Sequence, residues 1–224
     1  MQLDFQAREL TIKLVYYGPA LSGKTTNLQA IHRLLSPEGR GRLMTLETRD
    51  DRTLFFDLLP LTFSTASGLT VRIKLFTVPG QVIHNSTRKL VLQGADGVAF
   101  IADSQVQELR ANQASFKDLR RNLRENGMDP SKIPLVIQYN KRDLPNIRPE
   151  ADILRMAALG KEPTFLATAM HGTGVPETFL GLVEASWKHI EAEHHLKDRF
   201  SLDHTEVVRD LGQRFGLKTA EPAV

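Results

Sequence analysis

The 224-residue sequence contains no cysteine, few aromatic residues (7%) and no apolar run long enough to span a membrane. Without cysteine there is no disulfide, thiolate metal site, cysteine nucleophile or prenyl or palmitoyl anchor. Asp96 and Asp103 interrupt the most apolar stretch, which is shorter than the ~20 residues that cross a bilayer. The first residues form neither a secretory signal nor a myristoylation site, so we expect a cytoplasmic protein without a direct membrane anchor.

Positive and negative charges are nearly balanced, with 29 Lys and Arg against 26 Asp and Glu and a formal net charge of +3. Because this excess is small and forms no Arg-rich block, we expect no nucleic-acid partner. Hydrophobic residues make up 41% of the chain, which is enough for the core of a globular protein. The length favours one α/β domain with an appended segment.

Short apolar runs, typical of strands, alternate with longer amphipathic segments that predict helices. The predicted strands cover 10–17, 53–64, 69–78, 97–102, 133–139 and 164–167, and the predicted helices cover 24–35, about 109–127 and 175–196. Residues 37–52 are rich in Gly and Arg and predict a loop. This alternation is typical of a mostly parallel sheet with helices on both faces.

The segment from 197 to 224 has a different pattern from the rest of the chain. Val207, Val208, Leu211 and Phe215 predict one short amphipathic helix that ends at Gly216. Two interpretations stay open: the helix docks on its own domain, or its apolar side binds a partner. We therefore divide the chain into a domain over 1–196 and a C-terminal tail over 197–224.

A glycine-rich segment follows the first long predicted strand. Residues 18–25 (GPALSGKT) fit the pattern G-x-x-x-x-G-K-[ST], in which backbone N–H groups and a helix N-terminus bind phosphates. We expect Lys24 to reach the β- and γ-phosphates and Thr25 to offer its hydroxyl to Mg²⁺. The predicted nucleotide-binding residues of this segment are Gly18, Pro19, Ala20, Leu21, Ser22, Gly23, Lys24, Thr25 and Thr26.

A second polar motif, residues 140–143 (NKRD), follows the 133–139 strand at the carboxyl edge of the sheet, where open α/β sheets bind ligands. The Asp143 carboxylate can accept hydrogen bonds from N1–H and the amino group of guanine, which adenine does not present in that arrangement. We expect Asn140 on the far side of the purine and the Lys141 stem over a ring face. Thr168 and Ala169 follow the last predicted strand and could offer a backbone N–H to guanine O6. These residues predict a site for GTP and GDP.

The order of these motifs resembles that of the small Ras-like GTPases. More narrowly, five blocks look like the bacterial MglA gliding-motility GTPases: LVYYGPALSGKTTNLQ (14–29), RTLFFDLLPL (52–61), LFTVPGQV (75–82), RKLVLQGADGVAFIADSQ (88–105) and VIQYNKRDLPN (136–146). The resemblance covers about residues 8–196. It implies a P-loop NTPase of α/β class, a Ras-like G domain with a mostly parallel six- or seven-stranded sheet flanked by helices.

The resemblance also implies roles for residues around the phosphates. Thr53 matches the switch threonine that closes on Mg²⁺ and the γ-phosphate, and Arg52 matches the intrinsic arginine finger of that family. Gln81 matches the glutamine that orients the attacking water, and Gly80 supplies an N–H to the γ-phosphate. The implied catalytic residues are Gln81, Arg52, Lys24 and Thr53, and the implied metal ligands are Thr25 and Thr53.

By resemblance, the protein is a switch that binds GTP with Mg²⁺, hydrolyses it slowly to GDP and phosphate, and controls cell polarity and motility. Its implied partners are a GTPase-activating roadblock/longin protein of the MglB type and effectors that recognise the GTP-bound loops over 37–53 and 78–88. Such protein partners would recruit it from the cytoplasm to a cell pole.

Two residues depart from the usual Ras-like pattern. Thr77 replaces the Asp of the D-x-x-G motif and is expected to bind Mg²⁺ more weakly, although the same replacement fits the MglA pattern. Ala20 replaces the glycine beside the γ-phosphate, and its methyl group is expected to slow hydrolysis. Two other functions stay open: a nucleotide-binding scaffold with little or no hydrolysis, which Ala20 and Thr77 favour, and an ATP-using P-loop kinase, which Asn140 and Asp143 oppose.

Overall fold

The computed structural model describes residues 1–4, 6–47, 55–65, 68–80, 85–194 and 204–217. The strands are β1 (Gln2–Asp4), β2 (Glu9–Tyr17), β3 (Met44–Glu47), β4 (Phe55–Ser64), β5 (Thr70–Thr77), β6 (Gly97–Asp103), β7 (Leu135–Asn140) and β8 (Thr164–Leu166). The helices are α1 (Lys24–Leu34), α2 (Asn85–Leu92), α3 (Leu109–Glu125), α4 (Glu150–Ala157), α5 (Val175–His194) and α6 (His204–Arg214).

All of these strands belong to a single sheet. Its order is β3–β4–β5–β2–β6–β7–β8, and β1 pairs with β2. β5, β2, β6, β7 and β8 run parallel to one another, whereas β1 pairs antiparallel with β2, β4 with β5, and β3 with β4. The expected α/β fold with a mostly parallel sheet is confirmed. Eight strands are found within the described ranges, because β1 and β3 add to the six that the apolar runs predict.

Two apolar layers cover the two faces of the sheet. One contains α1 and α5, with Ile31 and Trp187 fully buried, and the other contains α2 and α3, with Leu92 and Leu119 fully buried. Every residue of β6 is buried, as a continuous apolar run between two helical layers requires. Within the described ranges, no helix combines the length and apolar character needed to span a bilayer.

The predicted loop over 37–52 is wrong at residues 44–47, which form β3. This strand is held by its antiparallel partner β4, with Thr45 opposite Asp57, so a long-range pairing overrides a local composition typical of loops. The predicted loop over 78–88 is also wrong at its end, because α2 begins at Asn85. Residues 48–54 and 81–84 lie outside the described ranges.

The C-terminal helix α6 packs on its own domain. Val207 and Leu211 are fully buried in the core layer that contains α5, and the Phe215 ring lies edge-on against Phe179, with 5.9 Å between centroids. The docked interpretation is therefore confirmed, and a partner cannot bind these two aliphatic residues in this arrangement. The division of the chain at residue 196 stays a prediction, since residues 195–203 lie outside the described part.

The end of α6 also contacts the segment that connects α1 to β3. The Ser36 N–H donates to the carbonyl oxygen of Arg214 (3.0 Å), and Arg214 Nη1 donates to the carbonyl oxygen of Glu38 (3.0 Å). The Arg214 guanidinium lies 5.9 Å from the ring centroid of Phe63 on β4. These contacts join the C-terminal helix to the edge of the sheet that contains β3 and β4.

Candidate functional site

The loop between β2 and α1 lies at the carboxyl end of β2 and presents the N-terminus of α1. Gly23 precedes α1 with φ of 95°, and a Cβ there would lie 2.2 Å from Asn140 Nδ2, so only glycine fits. Gly23 has no side chain to cap the helix, and the first turn contains no acidic residue. The N–H groups of this turn and the partial positive charge of the helix are therefore available to an anion.

A cavity of about 670 Å³ opens beside this helix N-terminus. Its walls come from the loop and α1 on one side and from β3, β4 and the end of β5 on the other. The lining residues are Ala20, Leu21, Gly23, Lys24, Thr25, Thr26, Thr45, Phe56, Asp57, Thr77, Val78, Pro79 and Gly80. The structure thus brings together six of the nine residues predicted from the glycine-rich segment, together with Gly80.

The remaining three residues of the segment, Gly18, Pro19 and Ser22, do not line this cavity. Gly18 and Pro19 accept hydrogen bonds from Lys24 through their carbonyl oxygens, as described next. The Ser22 hydroxyl is buried, with no hydrogen-bond partner among the described residues. An unsatisfied buried hydroxyl in this loop is consistent with a site built around a polar ligand.

Lys24 is the cationic group of the cavity. Its Nζ donates to the carbonyl oxygens of Gly18 (3.0 Å) and Pro19 (2.6 Å), and the side chain is almost completely buried. Burial is the main cause that lowers the pKa of Lys24, the nearby Arg88 charge also lowers it and the Asp57 carboxylate raises it, and together they bring the pKa to about 8. A phosphate anion in the cavity would favour the protonated amine, because an opposite charge stabilises the charged form.

Three hydroxyl groups surround the carboxylate of Asp57 on the opposite wall. Thr25 Oγ1 donates to Asp57 Oδ2 (2.6 Å), Thr45 Oγ1 donates to Oδ1 (2.8 Å), and Thr77 Oγ1 donates to Oδ2 (2.9 Å). The side chain of Asp57 is only 6% exposed. Carboxylate and hydroxyl oxygens are the ligands that Mg²⁺ prefers, so this set of donors fits a magnesium ion.

Asp57 was missed by the sequence reasoning, which found only threonines for the metal. The register of the sheet explains its position: Thr45 pairs with Asp57, and Leu58 pairs with Phe76, so Thr77 lies beside Asp57. A single carboxylate inside the apolar run FFDLLPL was the available signal. The side chain at position 77 on β5 is a hydroxyl, and the carboxylate of this site therefore comes from Asp57 on the neighbouring strand β4.

The predicted base-recognition motif, residues 140–143, lies on the other side of the glycine-rich loop over 18–25, which we call the phosphate loop after its predicted role. Asn140 Nδ2 donates to the carbonyl oxygen of Ser22 (2.9 Å), and the Ala169 N–H donates to Asn140 Oδ1 (2.9 Å). Lys141 has φ of 65°, and its Nζ lies 2.6 Å from Asp103 Oδ2 in an ion pair. Asp143 is exposed, next along the same loop. The structure therefore joins the predicted phosphate and base segments through one buried amide.

The site can now be compared with known proteins. No protein-family model matches the chain. The chain is 48% identical over 176 residues to the mutual gliding-motility protein MglA of Myxococcus xanthus (strain DK1622). The aligned part covers 79% of this chain and 90% of that relative. The chain belongs to the MglA family. The resemblance stated from the sequence blocks is confirmed.

One contact of this MglA-family protein involves the unusual residue of its phosphate loop. A Cβ at Gly80 would lie 2.4 Å from Ala20 Cα and 2.5 Å from Ala20 N. No side chain fits in that space, so the segment after β5 can approach the loop this closely only with glycine at position 80. The approach is made at Ala20, the position where the sequence departs from the usual glycine.

Three of the predicted site residues, Arg52, Thr53 and Gln81, lie outside the described residues. Their roles as arginine finger, switch threonine and water-orienting glutamine stay predictions. Thr168 is nearly buried after β8, and its N–H donates to the carbonyl oxygen of Thr173 (2.9 Å). The Ala169 N–H is used as well, since it donates to Asn140 Oδ1, so neither of these two N–H groups is free for a base in this structure.

Proposed function

We propose that this protein is a guanine-nucleotide switch that binds GTP and GDP with Mg²⁺ and hydrolyses GTP slowly. The observation that carries the proposal is that three features lie together in one cavity. They are the N-terminus of α1, the buried Lys24 amine and the Asp57 carboxylate, which accepts hydrogen bonds from three threonine hydroxyls. The first two are suited to phosphates and the third to a divalent cation.

The phosphates would bind against the backbone N–H groups at the start of α1. Lys24 already lies in the loop, with Pro19 and Gly18 as its acceptors, and a bound phosphate would attract the same amine. Because the amine is buried, its attraction to an anion is weakly screened by water. Gly80 would add an N–H on the side of the γ-phosphate.

Thr25 and Asp57 would hold the magnesium ion, and Thr53 would join them in the GTP-bound form. Bound Mg²⁺ neutralises phosphate charge and orients the β- and γ-oxygens. In the described residues, the Thr25 hydroxyl and the Asp57 carboxylate are already in contact at 2.6 Å, so both are positioned for a common ligand. Thr45 and Thr77 would hold the carboxylate in place through their hydroxyls.

Guanine would bind at the carboxyl end of β7, with Asp143 accepting from N1–H and the amino group. Lys141 would cover one face of the ring, and the Ala169 segment would approach O6. The Asn140 amide supports this arrangement, since it connects Ser22 of the phosphate loop with Ala169 beside the base. A site that satisfies such hydrogen bonds rejects bases that lack them by a factor of ~10⁴ or more.

Hydrolysis would use residues implied by the family resemblance. Gln81 would orient the attacking water, and the Arg52 guanidinium would neutralise charge on the transferred phosphoryl group. Intrinsic rates of such switches are low, so a GTPase-activating roadblock/longin protein of the MglB type is the proposed activating partner.

The proposed cellular role is control of polarity and motility through partners that bind the GTP-bound loops. Its support is the kinship with a Myxococcus xanthus protein named for gliding motility. We propose a cytoplasmic protein that protein partners recruit to a cell pole.

Nucleotide competition is the direct test of the proposed binding. Fluorescent GDP is bound to the purified protein and displaced with GTP, GDP or ATP, in Mg²⁺ and again with EDTA. We expect displacement by GTP and GDP at least 100-fold more readily than by ATP, because ATP lacks the donors that Asp143 requires. Equal displacement by ATP would contradict the guanine assignment and favour the P-loop kinase.

Single-turnover release of phosphate from bound GTP tests the proposed enzyme activity. We expect slow release that an MglB-type protein accelerates, and we expect Gln81→Leu and Arg52→Ala to retain nucleotide binding while losing hydrolysis. Normal hydrolysis by Gln81→Leu would show that the water-orienting role is assigned to the wrong residue.

A nucleotide-binding scaffold with little or no hydrolysis is the second candidate function, and the contact between Ala20 and Gly80 favours it. Gly80 meets the phosphate loop at the Ala20 backbone, so a methyl group at position 20 would hinder the approach of Gln81 and Arg52. Ala20→Gly is expected to raise the single-turnover rate several-fold. An unchanged rate, with and without the activating partner, would remove this argument.

A further inference from the structure

A chain of three buried polar side chains crosses the core behind the proposed nucleotide site. Asn27 on α1, Gln138 on β7 and Thr178 on α5 are each 0% exposed. Asn27 and Gln138 exchange two amide hydrogen bonds (2.9 and 3.0 Å), and Gln138 Nε2 also donates to Thr178 Oγ1 (2.8 Å). We call these three residues the amide relay.

Both ends of the amide relay finish on backbone carbonyls of ligand-facing loops. Asn27 Nδ2 donates to the carbonyl oxygen of Gly23 (2.9 Å), the residue before Lys24 in the phosphate loop. Thr178 Oγ1 donates to the carbonyl oxygen of Gly174 (2.6 Å), at the end of the loop that contains Ala169. The buried relay therefore connects the phosphate loop with the loop over 167–174, which we call the base loop.

The position of Gln138 on β7 is one where an apolar side chain would be expected. It lies on the same buried face of the strand as Val136, between two core layers. A buried amide destabilises a core unless each of its polar groups is paired. Here each polar group of the relay has a partner. The relay therefore stabilises the fold no more than a leucine at position 138 would, but it holds the three side chains in one geometry.

We propose that Gln138 is a positioning residue that fixes the spacing between the phosphate loop and the base loop and thereby slows nucleotide release. The inference rests on the proposed nucleotide binding. Asn140, two residues further along the same face of β7, joins the same two loops from Ser22 to Ala169. Two parallel hydrogen-bonded links from one strand hold the two loops more rigidly than either link alone.

The test compares release of fluorescent GDP from three variants with their free energies of unfolding in urea. Gln138→Leu removes both bonds between the two amides and leaves Asn27 Oδ1 without a partner, so it is expected to lower stability and speed release about tenfold. The double variant Asn27→Leu/Gln138→Leu removes both amides, so its stability should recover while its release stays about tenfold faster than wild type. Val183→Ala, a core truncation on α5 outside the relay, is the matched control that lowers stability without changing release.

The outcomes separate positioning from structural support. If the double variant returns to the wild-type release rate together with its stability, the relay is merely structural and the inference is wrong. It is equally wrong if Val183→Ala releases GDP as fast as Gln138→Leu at equal stability. Wild-type protein that binds no guanine nucleotide overturns the proposed function and this inference together, whereas binding with equal release rates overturns this inference alone.

Discussion

The two sides of the phosphate loop are built from different chemistry. On the side of β7 and α5, which we call the base side, neutral amides connect the loop to its neighbours: Asn140 bonds Ser22 and Ala169, and the amide relay bonds Gly23 and Gly174. On the side of β3, β4 and β5, which we call the metal side, three threonine hydroxyls point at one carboxylate, Asp57.

This difference shows which parts of the site depend on a ligand. The hydrogen bonds of the base side are satisfied within the protein, so its shape does not require a bound nucleotide. The metal side places the Asp57 carboxylate beside the Lys24 amine, and its oxygens, together with the Thr25 hydroxyl, are ligands that a divalent cation accompanied by phosphate could take up. Variants on the two sides should therefore differ in how Mg²⁺ affects them.

Lys24→Ala should have the largest effect, because Lys24 lies where the two sides meet. Removal of the buried amine is expected to reduce affinity for GDP and GTP by at least ~1,000-fold, with or without Mg²⁺. Fluorescence titration measures this loss. Lys74→Ala, which changes an exposed lysine on β5, is the control and should bind like wild type. Binding retained by Lys24→Ala would place the phosphates elsewhere.

Asn140→Ala should weaken binding about 100-fold, because it leaves the Ser22 carbonyl and the Ala169 N–H without their partner. As a base-side change, it should cause the same loss in Mg²⁺ and in EDTA. The measurement is the dissociation constant of fluorescent GDP in both buffers. A loss confined to Mg²⁺ would contradict the division into two sides.

The pH dependence of the free energy of unfolding should reveal that the charged Lys24 amine is buried. Its pKa is about 8 in the ligand-free fold, below the ordinary lysine pKa of 10.5 that applies to the unfolded chain. Between these values the unfolded chain binds more protons, so this group makes the free energy of unfolding rise with pH. Below pH 8 both states are protonated, and the cost of burying the charge is constant.

From pH 7.5 to 9.5, we therefore expect the free energy of unfolding of nucleotide-free wild type to rise by about 2 kcal/mol more than that of Lys24→Met. Urea unfolding at several pH values measures both proteins, and pH effects of other groups cancel in the difference. Parallel curves for the two proteins would mean that the amine is not desolvated. Because Asp57 raises the pKa of Lys24, Asp57→Asn should move the rise to lower pH.

Asp57→Asn should have the smallest effect of the series, and this effect should occur only in the presence of Mg²⁺. The amide keeps the shape of the carboxylate but is a poor Mg²⁺ ligand, so affinity in Mg²⁺ should fall about tenfold while affinity in EDTA stays unchanged. Asp152→Asn, which changes a partly exposed carboxylate paired with Arg155 on α4, is the control. An unchanged response to Mg²⁺ would remove Asp57 from the metal site.

The sequence predicted those parts of the fold and site that depend on local pattern. The fully buried β6 appears as a continuous apolar run, and the phosphate loop appears as a glycine-spaced motif between a strand and a helix. Both signals lie within about ten neighbouring residues. The amphipathic spacing of Val207 and Leu211 likewise predicted α6.

The parts that the sequence did not predict depend on pairing between distant segments. β3 is stabilised by β4, and Asp57 reaches the metal side only because the antiparallel register aligns it with Thr45 and Thr77. For α6, the sequence left docking and partner binding open, and it did not identify Phe179, far away in the chain, as a contact of Phe215. Local composition does not show which distant segments pair. The one sign of the metal side in the sequence was a polar residue, Asp57, inside an apolar strand.

The attachment of α6 has a mechanical consequence. A load applied to the chain beyond residue 217 would enter the fold at the end of α6 and peel this helix from α5 starting at Phe215 and Arg214. The first hydrogen bonds between α6 and another segment to come under tension would be those that join Arg214 to Ser36 and Glu38, on the segment that leads into β3. Pulling on this end of the protein would therefore strain the edge of the sheet beside Asp57 before it reaches the strands around β7.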